Sequence, residues 1–136
     1  MSLKSELFTY LSAVLHNRIY TDMAPKSATL PYITHQIISA DHSHAMDGPI
    51  GRVTRRVQFD IYGATADSVD SQFEELRDQL DGLIGISLGN LQIEAIWLDN
   101  ERDGYIDPTD SSQVAKHRRI VDFMIAHRTT IPGQSG

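Results

Sequence analysis

The sequence predicts an α+β domain in which a small, mostly antiparallel sheet of about four strands carries two helices on one face, in the order α-β-β-α-β-β. Two helical patterns and one alternating pattern lead there. Leu3, Leu7, Leu11, Val14 and Leu15 return every three or four residues, and Val69, Phe73, Leu76, Leu80 and Leu83 do so again, so each set lines one face of a helix. Between them Val53, Val57, Phe59 and Ile61 alternate with Thr54, Arg56, Gln58, Asp60 and Tyr62, the period of a strand buried on one side.

Taken in order, the first helix is expected from about Ser2, its N-cap, to about Leu15. Pro25 and Pro31 mark a loop, after which residues 32–38 have the β-branched and aromatic content of a strand. Residues 41–51 are dense in turn formers and read as an exposed, mobile loop. In the strand from Val53, Arg55 interrupts the apolar side. The second helix takes Thr65 or Asp67 as its cap and stops at Gly82 or Gly85. Residues 91–98 and about 114–127 are the last two strands, with an acidic, turn-rich connection between them. Residues 1–128 are expected to form a single domain and 129–136 a flexible tail.

Composition narrows the function classes. The 136-residue chain, 40% hydrophobic and 22% charged, is long enough for one core. It has no cysteine, which removes disulfides and thiolate chemistry and fits a reducing compartment. The N-terminal stretch lacks the continuous apolar segment of a secretion signal, and no apolar run approaches the ~20 residues of a membrane span. Eighteen acidic against twelve basic residues give a net charge of −6, the wrong sign for gripping phosphate backbones. No Gly-x-Ser-x-Gly occurs, and no P-loop lysine follows Gly82, Gly85 or Gly89. An enzyme is not expected, nor a cofactor or a metal.

Two segments carry metal-ligating residue types. Residues 99–110 place acids at positions 1, 3, 5, 9 and 12 of a calcium-type loop with Gly104 at 6, but Asp110 is too short for the usual glutamate, Pro108 intrudes, and the flanks read as strands. A solvated hairpin loop is the better reading. His42-x-His44 with Asp41 and Asp47 offers ligands, but a loop that does not fix their geometry favours a plain polar segment. The paired acids Glu74 and Glu75, or Asp78 and Asp81, fit a solvated helix face. Arg52, Arg55 and Arg56 with Lys116, Arg118 and Arg119 form the basic clusters, either a partner patch or, preferred here, cross-strand pairing with this chain's acids.

Arg18-Ile19-Tyr20, Leu30-Pro31-Tyr32, Asp47-Gly48-Pro49, Arg56-Val57-Gln58-Phe59-Asp60-Ile61-Tyr62 and Asp99-Asn100-Glu101-Arg102-Asp103, in that order, carry a resemblance. From the first helix to about Arg128 the chain resembles the tail-completion or tail-terminator proteins of long-tailed phages and gene transfer agents, catalogued as a domain of unknown function (DUF3168). The His42–His44 segment and the residues after Arg128 have no counterpart in that resemblance.

The resemblance implies a structural virion protein assembled in the bacterial host cytoplasm. Copies would form a homo-oligomeric ring, typically hexameric, on the head-proximal end of the tail. The ring would stop the tail tube protein polymerising and dock the head-tail connector or stopper, while DNA passes through the lumen without specific binding; no membrane is involved. Assembly contacts are then expected at Asp41, His42, His44 and Asp47 in one loop, at Asp99, Glu101, Arg102 and Asp103 in the other, and at Arg55, Arg56 and Arg119. Charge reversal at Arg56 or Arg119 is expected to disturb assembly more than folding. The alternatives are a head-side neck or connector protein and a small metal-dependent enzyme using the two loops.

Overall fold

In a computed structural model, the structure describes residues 3–15, 18–22, 30–45, 48–89, 91–106 and 116–128. Helix α1 (Leu3–Val14) is followed by β1 (Arg18–Thr21), β2 (Tyr32–Ala45), β3 (Gly48–Gly63), α2 (Ala66–Leu80), β4 (Ile84–Leu88), β5 (Leu91–Ile106) and β6 (Lys116–Arg128). The strands form one mixed half-barrel sheet in the order β1-β2-β3-β6-β5-β4. The expected four-strand, mostly antiparallel sheet in the order α-β-β-α-β-β is therefore wrong. Its two missing members are the sheet edges. β1 is four residues long, too short to show a period, and runs parallel to β2 with Ile19 beside Ile33. In β4 the sequence Ile-Gly-Ile-Ser-Leu places Gly85 at a φ of 62°, which reads in sequence as the end of a helix.

Both expected loops are also mostly strand. β2 and β3 stay paired out to Ala45 and Gly48, so the histidine-bearing segment is a two-stranded arm, with Asp47 outside the described residues. β5 continues through Asp99, Glu101 and Asp103 to Ile106, paired with β6, while residues 107–110 lie outside the described residues. A straight ladder cannot wrap a cation as a calcium loop does. Turn-forming residue types lose here to a long cross-strand partner, as strand propensity depends on context.

The core lies between the helices and one sheet face. α1 contributes Leu3, Leu7 and Leu11, and α2 contributes Val69, Phe73, Leu76 and Leu80. Against them stand Ile33 of β2, Val57, Phe59 and Ile61 of β3, Val121, Phe123 and Ile125 of β6, and Ile93 and Ile96 of β5. Fully burying each such side chain stabilises the fold by about 1.5–3 kcal/mol. Phe59 and Phe123 meet edge to face at 5.6 Å. Thr65 caps α2 by accepting from the Ser68 amide at 3.1 Å, and the Tyr10 hydroxyl donates to the Gln79 carbonyl at 3.2 Å, tying α1 to α2. Beyond α2, the Asp81 carboxylate accepts the Leu98 amide at 2.9 Å and fixes the helix against β5.

Two histidines are buried with the apolar residues. His35, 1% exposed, lies between Phe8 and Phe59, with Nε2 3.2 Å from the Thr21 hydroxyl. Burial lowers its pKa to about 4, with Asp22 opposing and Lys4 assisting. His127 accepts from Arg55 Nε at Nε2 (3.0 Å) and lies 2.8 Å from the Arg128 carbonyl at Nδ1, the pattern of a neutral ring protonated at Nδ1. Burial first, then the Arg55 and His42 charges, push its pKa down, while the Arg128 carbonyl pulls the other way.

Both folded pKa values lie below the unfolded one, so the unfolded chain binds more protons under about pH 6.5. Stability is complete above that pH and is lost as pH falls towards 4. Thermal melting between about pH 7.5 and pH 4.5 should show a loss on the order of 2 kcal/mol, several degrees in Tm, and His35→Leu should flatten the slope. Separately, Gly89 has a φ of 59°, and a Cβ there would collide with the buried Glu6 carboxylate of α1. Gly89→Ala should lower the denaturant midpoint by the equivalent of about 1–3 kcal/mol.

Candidate functional site

Strand alternation turns the residues between the core positions to the opposite side of the sheet. Register then sets Arg56 beside Met124, Gln58 beside Asp122, Asp60 beside Ile120 and Tyr62 beside Arg118, with Trp97 opposite Met124 and Arg102 opposite Ile120. This open face carries three charged networks.

At one end Arg52 grips Glu94 through Nε and Nη2, both at 2.7 Å, and Arg128 approaches the same carboxylate at 3.8 Å. The forked hydrogen bond raises the Arg52 pKa and lowers that of Glu94. In the middle Arg56 Nη1 donates to Asp99 at 2.6 Å and to Asp122 at 3.3 Å, while Arg102 lies 3.6 Å from Asp122. Its bond to Asp99 raises the Arg56 pKa. Asp122 is 5% exposed, and its Oδ1 has no hydrogen-bond partner among the described residues. At the far end Asp60 accepts from Arg118 at 2.8 Å, Gln58 at 3.3 Å and Tyr62 at 3.5 Å. Lys116 donates to the Tyr32 hydroxyl at 3.2 Å and lies 5.7 and 5.6 Å from the Tyr32 and Tyr62 rings, within cation–π range. Burial, then the Asp60 charge, raises the Tyr62 pKa, so the phenol stays protonated.

Beside these networks lies apolar surface. Trp97 is 40% exposed, and Ile84 of β4, opposite Ala95, is 76% exposed on the same side. An exposed tryptophan on a face that also carries arginines is a composition favoured in protein contacts.

The expected contact residues are divided by the fold. Arg56, Asp99 and Arg102 meet on the open face. Glu101 and Asp103 alternate to the helix side, as does Arg119, whose Nε bonds Asp103 and whose Nη2 bonds Asp70, each at 2.7 Å, with its guanidinium 5.0 Å from the Phe73 ring. Arg119 thus clasps α2 to β5 and β6, and its reversal is now expected to cost stability. Arg55 faces His127. Asp41 and His42 are exposed on the β2–β3 arm, which also includes His44. Among the described residues no group of three acids or histidines could hold a metal.

Sequence reading missed Asp60 and Asp122 as members of the site. Their signal was alternation itself: each is the acidic residue facing away from the core in an otherwise apolar strand, in phase with the arginines. Asp122→Ala should cost about 2–4 kcal/mol, because it strands Arg56 and Arg102 without their shared carboxylate, whereas half-exposed Arg102→Ala should cost under about 1 kcal/mol; urea unfolding of both variants checks the contrast.

No family model matches the chain, and no curated protein matches it. Among solved structures, the fold is similar to that of a chain in the virion of a native gene transfer agent (GTA) particle, with a TM-score of 0.71, 12% identity, and coverage of 93% of this chain and 95% of that one. At that identity the likeness establishes a shared fold along nearly the whole of both chains.

Proposed function

We propose that this chain is a structural virion protein, a tail-terminator or tail-completion subunit of a long-tailed phage or phage-derived particle. About six copies close into a ring that caps the tail tube at its head-proximal end, stops polymerisation and receives the head-tail connector or stopper. The observation that carries this reading is the fold shared along almost the full length of both chains with a gene transfer agent virion chain. It agrees in kind with the tail-terminator resemblance of the sequence.

The architecture suits the role. A sheet face that no helix covers among the described residues, bearing Trp97 and half-exposed arginines, is available for a neighbouring protein. The β2–β3 arm reaches past β6, since β6 ends at Arg128 opposite Arg52 while β3 begins at Gly48. Such an arm can reach a tube or connector subunit beyond the ring, and Asp41 and His42 are exposed on it. A net charge of −6 lets DNA pass a lumen without adhering.

Absolute mass by light scattering over a concentration series should give a closed oligomer near six subunits, and addition of the purified chain to polymerising tube protein should halt elongation. Tubes that grow unchanged while portal-side adaptor captures the chain would move it to the neck.

A further inference from the structure

The charges of this chain are sorted by side. On the open face the carboxylates are outnumbered: Asp122 is shared by Arg56 and Arg102 and Glu94 by Arg52 and Arg128, Asp99 pairs again with Arg56 and Asp60 with Arg118, and Lys116 has a hydroxyl and two rings but no carboxylate among the described residues. Asp122, Glu94 and Asp60 are also deeper than the cations they hold. The Asp122 side chain is 7% exposed beside an Arg102 side chain at 49%, so the charge presented outward is positive. On the opposite side α2 turns Asp67, Glu74 and Asp78 to solvent, and none of them has an ion-pair partner among the described residues. These three lie along one stripe, at i, i+7 and i+11.

We propose that the subunit contact of the ring is formed by this pair of surfaces: the acidic stripe of α2 in one copy seats on the cationic open face of the next, at Arg102 and Lys116. The occupant is a second copy because this chain itself supplies both charges, and because the dimensions agree. From Asp67 to Asp78 the stripe runs about 16 Å at 1.5 Å per residue. Arg102, opposite Ile120, and Lys116 are four rungs apart, about 13 Å at 3.3 Å per rung. The two patches also lie on opposite sides of the sheet. Each copy therefore offers one surface forward and a different one back, a heterologous contact that closes into a ring and cannot satisfy itself in a two-fold dimer.

This contact rests on the ring reading, and the two can fail separately. Glu74→Lys/Asp78→Lys changes only exposed helix positions, with added positive charge towards the C-terminal end of α2 where it favours the helix. Arg102→Glu/Lys116→Glu changes the sheet face. Circular dichroism checks that each double variant is folded, and light scattering gives its mass. Each alone should weaken association on the order of a hundredfold, leaving monomer at concentrations where the unaltered chain is oligomeric. Mixed in equal amounts, the two should recover the oligomer, because every contact in an alternating ring then pairs opposite charges. Salt raised from about 0.15 M to about 1 M should dissociate the unaltered oligomer.

An unaltered chain that remains monomeric at every concentration overturns the ring reading and this contact with it. An oligomer that survives both double substitutions, or variants that stay monomeric when mixed, overturn the contact alone. Loss of DNA retention by Arg102→Glu/Lys116→Glu with its mass unchanged would assign the face to nucleic acid and also overturn it.

Discussion

The pairing of β3 with β6 is the constraint on which the rest of the molecule depends. It joins segments more than fifty residues apart in sequence, from Arg52 beside Arg128 to Gly63 beside His117. Each strand is also half of a hairpin, β3 with β2 and β6 with β5. One ladder therefore fuses two hairpins into a sheet. On its helix side it brings Phe59 against Phe123, and on its open side it brings Arg56 to Asp122 and Arg118 to Asp60. A slip of one residue would exchange those sides, setting carboxylates into the core and phenylalanines into water, so burial and charge fix the register together.

Legibility in the sequence followed how far each element's own residues determine it. α2 was readable in spacing and cap because its apolar stripe and Thr65 are local. The alternation from Val53 to Tyr62 announced β3 for the same reason. β1 and β4 were not readable, since four or five residues hold no period and both strands exist through a neighbour's backbone. The outer parts of β2 and β5 were misread because turn-forming types were weighed alone, whereas each is held by the strand beside it. The site was half visible. Arg56, Asp99 and Arg102 could be named, but that Asp122 stands between two of them required the β3–β6 register.

Arg119 shows how a charge can serve the fold rather than a partner. Its two nitrogens hold carboxylates from β5 and α2, and its guanidinium lies over Phe73, so little of it remains for an outside protein. Sequence placed it in a basic cluster with Arg118, but adjacent strand residues face opposite sides. Arg118 belongs to the open face and Arg119 to the helix side. The basic runs of this chain are thus not patches but alternations, and each must be split by face before its charge is counted.

Counted by face, the polarity of the molecule has a cause. A carboxylate buried in a sheet needs several donors, since a lone partner leaves acceptor sites dry and unmatched. Asp60 draws three, and Asp122 draws two guanidinium groups and still leaves Oδ1 without a hydrogen-bond partner among the described residues. Cations gather where these two acids sink. On α2, Asp67, Glu74 and Asp78 remain in water, which satisfies them without an ion-pair partner among the described residues, so no arginine surplus gathers along that stripe. Burial on one side and solvation on the other therefore leave a chain of −6 with one cationic face. The same rule that secures the carboxylates within a copy makes its two sides complementary to each other.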